Sequence, residues 1–152
     1  AVVEPQVLGT SSTSIDRNVS VMIEEINKVR SGNGVEELVY SLDLQNLTDF
    51  RVSDMVTRDY YSHRTPDGYT YANYISEYDP NSTYSCENLQ LQVGSNEVEA
   101  VEAWVNSPSH YRCLTNPNVS KIASSYLAHG DITYGQDNQP QQMFVFALVA
   151  SN

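Results

Sequence analysis

Positive charge is what this sequence most lacks. Its 152 residues include only 8 lysines and arginines against 19 aspartates and glutamates, so the formal net charge is −11. A surface of that sign repels the phosphates of nucleic acids and the headgroups of anionic lipids. We therefore expect no nucleic acid among the partners of this protein.

Long hydrophobic runs are also missing. No stretch approaches the roughly 18 consecutive apolar residues that a membrane-spanning helix needs, so we predict no transmembrane segment. A chain of 152 residues suits one compact domain with its own core. Residues 1–13 lack any periodicity and are predicted to form a flexible linker or tail, which leaves 14–152 as the single domain.

Cysteine is scarce, and the number is even. The two cysteines, Cys86 and Cys113, occur in an acidic, lysine-poor chain that is rich in serine, threonine, asparagine and tyrosine. This usage is typical of an exported protein with one disulfide. We expect a monomer that is secreted, extracellular or associated with the cell envelope.

The common catalytic motifs are absent. The sequence has no Gly-x-Ser-x-Gly elbow, no His-Glu-x-x-His helix, no glycine-rich phosphate loop and no Cys-x-x-Cys pair. These absences exclude the best-known serine hydrolase, zincin, nucleotide-binding and thioredoxin-like arrangements. No residue stands out as a dedicated nucleophile.

Helical patterns occupy the first two thirds of the chain. Apolar residues from Ile15 to Val29 follow one helical stripe, which Ser14 would cap and the Ser-Gly-Asn-Gly at 31–34 would end. Further helices are predicted over 41–60, over 69–78 and from an Asn96 cap to Pro108, and Ser107 would cap another that starts at Pro108.

Strand patterns follow in the last third. The segments "KIASSYLA" (121–128) and "QQMFVFALVA" (141–150) are predicted strands, and the continuous apolar run of the second indicates a central strand covered on both faces. The segment between them is predicted as a loop with at most a short edge strand. Helices followed by strands predict an α+β fold, with helices packed on a small, mostly antiparallel sheet.

Three polar residues at element boundaries are candidates for chemistry. His63 lies between an aromatic pair and a Pro-Asp-Gly turn, and Glu87 precedes an apolar stretch where a carboxylate needs solvent or a donor. His110 would be the third residue of the helix opened by Pro108, a position that keeps imidazole neutral near pH 7. Taken singly, each is more readily explained as a hydrogen-bonded structural residue. His129, in "AHGD", is predicted to be exposed in a turn-like loop without a role.

Several motifs, in order, resemble the bacterial branch of the CAP superfamily, the SCP-like or PR-1-like extracellular domains. They are "YYSH" with "PDG" (60–68), "CENLQL" (86–91) and "AWVNSPSH" (103–110), within a similarity over about residues 15–151. The resemblance implies a CAP-type α-β-α sandwich, in which helices pack on both sides of the sheet.

The resemblance also implies a cleft site. Many eukaryotic members carry two histidines and two glutamates there, and His63, Glu87 and His110 match three of these positions. Ser107 stands at the fourth, where the family has a glutamate, and Glu102 is only a distant substitute. Two imidazoles and one carboxylate can bind a divalent metal such as zinc, although the missing ligand lowers the affinity.

The cysteines depart from the family pattern as well. Cys86 replaces a residue that is usually glycine, and Cys113 comes three residues after His110. If Glu87 and His110 share a cleft, the two cysteines are neighbours and form a disulfide, the alternative being two buried free thiols.

Three functions remain open at this level. The first is a secreted binding or signalling module whose His/Glu-lined cleft takes a lipid, a glycan or a protein, with the 11 tyrosines contributing contact surface or only packing. The second is a metal-assisted, protease-like hydrolase that uses His63, His110 and Glu87. The third is a purely structural adhesion or envelope domain.

Overall fold

A computed structural model describes residues 12–133 and 140–152 of the chain, with side chains from residue 21 to 131 and from 140 to 152. Most of the predicted N-terminal tail therefore lies outside the described residues. The elements are α1 (Ser12–Gly32), β1 (Val39–Tyr40), α2 (Leu42–Thr57), α3 (Tyr71–Tyr78), β2 (Ser85–Val93), α4 (Glu97–Val105), α5 (Pro108–Leu114), β3 (Lys121–Thr133) and β4 (Pro140–Ser151). No helix in the described ranges is both long and apolar enough to cross a membrane.

The four strands form one sheet in the order β1-β3-β4-β2. The long strands pair antiparallel: Ser124 of β3 lies opposite Leu148 of β4, and Leu148 lies opposite Asn88 of β2. Only the two-residue β1 pairs in parallel, with β3. The predicted mostly antiparallel sheet is confirmed, and β4 is indeed central. Because β2 is the last strand in this order, its outer side is a sheet edge.

Alternation along β4 builds the two layers of the core. Every second side chain, as in Phe146 and Leu148, faces the layer of α1, α4 and α5, where Met22, Ile26 and Trp104 are buried. The intervening residues face α2 and α3, with Val149 against Leu44 and Leu47. Side chains of a strand point to opposite faces in turn, so a continuous apolar run is buried on both sides. The predicted α-β-α sandwich is confirmed.

The helix starts agree well with their capping signals. Ser41 Oγ accepts a hydrogen bond from the Leu44 amide at the start of α2, and Asn96 Oδ1 accepts from the Val98 and Glu99 amides at the start of α4. The predicted start of the first helix and the predicted end of the second were wrong. The first helix begins at Ser12, before the predicted Ser14 cap, and α2 ends at Thr57 instead of residue 60.

The strands contain the larger corrections. Strand β2 was not predicted, and residues 129–140 were predicted as a loop with at most a short edge strand, whereas β3 runs to Thr133 and β4 begins at Pro140. The rest of that predicted loop, 134–139, lies outside the described residues. His129 was predicted to be exposed in a loop, which is wrong. It lies on β3 at an irregularity between Ala128 and Asp131, and its side chain is 16% exposed, with Nε2 3.6 Å from a carboxylate oxygen of Asp59. Pairing with β4 continues β3 past Gly130, whose local sequence is typical of a turn.

Candidate functional site

A cleft of about 360 Å³ opens beside the outer edge of β2. The loop after α2 contributes to one side and α5 to the other, so both helical layers meet there. Its lining residues are His63, Tyr71, Tyr84, Cys86, Glu87, Asn88, Ser109, His110, Arg112, Cys113 and Asn116. The structure therefore brings His63, Glu87 and His110 together along one cleft. Ser107 is not a lining residue, and neither is Glu102, which is exposed on α4.

Glu87 is a fully buried carboxylate paired with an arginine. Arg51 of α2 donates from Nε to Glu87 Oε2 at 2.7 Å and from Nη2 to Oε1 at 3.1 Å. Neither side chain has any exposed surface. A two-point pair of this kind satisfies the geometry of both groups and offsets the cost of burying each charge. Glu87 therefore has a dedicated structural partner inside the protein.

The same arginine holds the loop that carries His63. It donates from Nη2 to the carbonyl of Ser62 at 3.0 Å and from Nη1 to the Tyr60 hydroxyl at 3.0 Å. That hydroxyl donates to Asp54 at 2.5 Å. Burial and the hydrogen bond to Asp54 raise the pKa of Tyr60 to about 12, so its hydroxyl stays protonated as a donor.

His63 completes the network on the cleft side. Its Nδ1 is 2.8 Å from Glu87 Oε1, and its ring is 54% exposed. Because both oxygens of Glu87 act as acceptors for Arg51, Nδ1 of His63 is the N–H donor in this contact. The opposite nitrogen, Nε2, is then the ring atom left to accept from a ligand.

His110 is oriented by Ser107, which stands where the resemblance implies a glutamate. Its Nδ1 is 2.8 Å from Ser107 Oγ. Ser107 is the N-cap of α5 by backbone position, as predicted, but its hydroxyl makes no capping bond. Burial, together with positive charge on His63, lowers the pKa of His110, so this imidazole is neutral at pH 7.

A disulfide joins β2 to α5, two of the elements that line the cleft. Cys86 on β2 and Cys113 on α5 are bonded, with their Cα atoms 5.9 Å apart, which confirms the predicted pairing. Asn88 adds a second link between the same elements, because its Nδ2 donates to the carbonyl of His110 at 3.0 Å. The strand that carries Glu87 and the helix that carries His110 are thus held together covalently.

Tyr84 and Asn116 form the outer wall. Asn116 Nδ2 donates to the Tyr84 hydroxyl at 2.6 Å, and Tyr84 is 40% exposed. Asn152 holds this tyrosine from behind, since its Oδ1 accepts from the amides of Thr83 and Tyr84 at 2.9 and 3.0 Å. Arg30, which is fully buried, donates to the carbonyl of Asn116 at 2.9 Å. The wall is therefore anchored in the core.

The arrangement does not fit the metal site that the resemblance implies. Among the described residues, no three His, Cys, Asp or Glu side chains are grouped so that they could hold a metal ion. Both oxygens of Glu87 already accept from Arg51, and one of them also contacts His63. A zinc ion on Glu87 would have to replace those hydrogen bonds, so we derive no chemistry through a metal.

Arg51 is the site residue that the sequence analysis missed. It lies on the apolar stripe of α2, seven residues after Leu44, four after Leu47 and four before Met55. A charged residue on a buried stripe needs a partner of opposite charge. That position was the available signal, although it does not reveal which carboxylate pairs with Arg51.

Comparisons with known proteins agree with this fold. The model of the cysteine-rich secretory protein family matches residues 23–148. The chain is 26% identical to the uncharacterized protein YkwD of Bacillus subtilis over 132 residues, which is 80% of this chain and 49% of that protein. It therefore spans about half the length of this curated relative.

Two solved structures are similar as well. An outer surface protein of Borrelia burgdorferi superposes with a TM-score of 0.71 at 22% identity, covering 90% of this chain and 92% of that one. An extracellular protein of Bacillus anthracis that contains an SCP domain superposes with a TM-score of 0.65 at 19% identity, covering 91% of this chain and 44% of that one. At these identities the likeness shows the fold alone.

Proposed function

This chain belongs to the cysteine-rich secretory protein (CAP) family, and we propose on that basis that it is an extracellular binding module whose cleft takes a small ligand. The names of two structural relatives, an outer surface protein and an extracellular protein, support the extracellular location. The disulfide supports it too, because such bonds persist in oxidising compartments. A lipid, a glycan or a segment of a protein would be the partner.

The observation that most supports this proposal is that the Glu87 side chain is hydrogen-bonded within the protein, to Arg51 and His63. Glu87 is the only carboxylate among the described residues that line the cleft, and its side chain is buried and held by Arg51 and His63. A general base must reach the substrate proton directly or through one water. Glu87 instead orients His63, while exposed groups such as Tyr84, Ser109 and Arg112 form the accessible surface. Such a surface suits recognition.

The alternative, a metal-assisted protease-like hydrolase, has less support. It requires His63, His110 and Glu87 to act as ligands or as ligand and base. Both oxygens of Glu87 already accept hydrogen bonds from Arg51, and one of them also lies 2.8 Å from Nδ1 of His63. Ser107 adds only a hydroxyl where the family's second acid would stand.

The test is binding in the cleft, followed residue by residue with nuclear magnetic resonance. We would titrate the ¹⁵N-labelled protein with N-acetylglucosamine, N-acetyl-dialanine and a lysophosphatidylcholine below its micelle concentration, as probes for the three ligand classes. Ser109→Trp places a large side chain on the cleft surface, and Ser95→Trp makes the same change at an exposed serine outside the cleft.

We expect at least one probe to shift the amides of 86–88 and 109–113 saturably, in the native protein and in Ser95→Trp but not in Ser109→Trp. Shifts that persist in Ser109→Trp would place the ligand elsewhere and overturn the proposal. Hydrolysis of fluorescent casein that is lost in Ser109→Trp would overturn it in favour of the hydrolase.

A further inference from the structure

Arg112 differs from the other basic residues of the chain in its bonding. Of the 8 lysines and arginines, Arg17 precedes the described side chains, which leaves seven. Six of these donate hydrogen bonds to carboxylates or carbonyls: Lys28, Arg30, Arg51, Arg58, Arg64 and Lys121. Within the described part of the chain, Arg112 alone donates none.

The position of Arg112 makes this difference informative. It lies in the last turn of α5, is exposed and lines the cleft next to the disulfide of Cys113. The chain has 19 acidic residues that could pair with an arginine, yet Arg112 pairs with none of those whose side chains are described. A guanidinium presents a planar fork of donors that matches a carboxylate at two points. No carboxylate of the described side chains occupies this fork of donors, so it is available to a carboxylate from another molecule.

The charge of the cleft also indicates an anionic ligand. Arg51 neutralises Glu87, which is the one carboxylate among the described lining residues, and His110 is uncharged at pH 7. Arg112 consequently leaves the cleft locally positive on a chain whose net charge is −11. A strongly acidic protein that keeps a cation without an acidic partner inside a cleft is suited to hold an anion there.

We propose that the cleft binds a compact ligand through a carboxylate group, which Arg112 contacts directly. This inference rests on the proposed function and names its ligand class. Tyr84 would lie against the body of the ligand, and Nε2 of His63 would accept from a hydroxyl or amide N–H. The cleft volume of about 360 Å³ is near the small end of ligand sites, which suits a single sugar acid or the last residues of a peptide.

The experiment compares acids with their neutral counterparts by the same amide titration. Glucuronate is paired with glucose, and N-acetyl-dialanine with its C-terminal amide, so that a sugar acid and a peptide carboxylate are tested separately. The variants are Arg112→Gln and, as the matched control, Lys28→Gln. Lys28 is exposed on α1 outside the cleft, and its substitution removes the same single charge.

We expect at least one acid to bind at the cleft at least about tenfold more tightly than its neutral counterpart, since a charged hydrogen-bonded pair exceeds a neutral contact by about that factor. Arg112→Gln should abolish the preference and Lys28→Gln should retain it. Binding of glucuronate would identify a sugar acid as the ligand class, and binding of N-acetyl-dialanine would identify a peptide carboxylate.

Two other outcomes would overturn the inference. Equal binding of acid and neutral probes, unaffected by Arg112→Gln, would refute the carboxylate class while leaving the cleft a binding site. An equal loss in Arg112→Gln and Lys28→Gln would show a long-range effect of net charge instead of a contact. Failure of the cleft itself would be recognised independently, by probe binding that Ser109→Trp does not change.

Discussion

Arg51 and Glu87 join α2 to β2 through two hydrogen bonds, of 2.7 and 3.1 Å, and neither side chain has exposed surface. This contact connects the core to the cleft, because the same arginine holds Tyr60 and the carbonyl of Ser62, while the same carboxylate holds His63. The orientation of the cleft histidine therefore depends on a buried ion pair on the α2 side of the sheet.

Breaking that pair from one side should be costly. Arg51→Met leaves the Glu87 carboxylate buried without its cation, so we expect the free energy of unfolding to fall by about 3–5 kcal/mol. The double variant Arg51→Met with Glu87→Leu should lose less than the single variant, because no buried charge remains. Urea unfolding of both proteins measures this. A double variant that loses as much stability as Arg51→Met, or more, would contradict a specific pair.

The disulfide should contribute a comparable amount. Cys86 and Cys113 are separated by 27 residues in sequence, a loop for which the chain-entropy model gives about 3–4 kcal/mol of stabilisation. Reduction of the native protein should lower the free energy of unfolding by that amount. A Cys86→Ser, Cys113→Ser double variant should have the reduced stability and no response to reductant. Equal stability of the oxidised and reduced forms would argue against this role.

The two cleft histidines should influence each other. Burial and the positive charge of His63 both lower the pKa of His110, so His63→Ala should raise the pKa of His110 towards its ordinary value of 6.5. Proton resonance of the imidazole Cε1–H across a pH titration measures the change, and His129, on β3 outside the cleft, is the internal reference. An unchanged His110 titration would mean that the rings do not interact.

The lowered pKa also predicts the sign of a pH effect on stability. In the unfolded chain His110 takes up a proton near pH 6.5, whereas in the folded protein it does so only at lower pH. The unfolded state therefore binds more protons between these values, and His110 reduces stability as the pH falls below about 6.5. Urea unfolding at pH 7.5 and at pH 5 should show a smaller loss for His110→Gln than for the native protein. An equal loss in both would contradict the prediction.

Zinc provides a direct test of the metal alternative. Because Glu87 is held by Arg51 and His63, we expect calorimetric titration with zinc at pH 7.5 to show no stoichiometric binding to the cleft. The comparison proteins are His63→Ala and His110→Ala. Stoichiometric binding by the native protein that both variants lose would establish a metal site there and would contradict our interpretation of Glu87.

The elements with a regular apolar period could be predicted from sequence. The helix of α1, the start of α2 near Ser41, the Asn96 cap and the continuous run of β4 each depend on neighbours within a few residues, and the structure has all four. Strand β2 could not be recognised in this way. Its buried residues include Glu87 and Asn88, whose polarity hides the strand pattern until their partners on α2 and α5 are known.

Some residues of the candidate site could be predicted from the sequence and others could not. His63, Glu87 and His110 were predicted from motifs, and the structure places all three on one cleft, while their functional roles stay predictions. Arg51 and Arg112 were not found. The position of Arg51 on a buried stripe indicates a partner of opposite charge but not which one, and nothing in the local sequence of Arg112 shows that it lies without an acidic partner beside a cleft.

The sequence by itself determined the fold class, the acidic character and most of the helices, because periodicity, charge and capping are local properties of the chain. The cysteine pairing was an expectation from the family resemblance. Only the tertiary structure decided that Glu87 is neutralised by Arg51, that the Ser107 hydroxyl bonds to His110 instead of to an amide of α5, and that Arg112 has no acidic partner among the described side chains. Those outcomes depend on residues from different layers that meet at the edge of β2. Pairings at such distances follow from packing and not from sequence spacing.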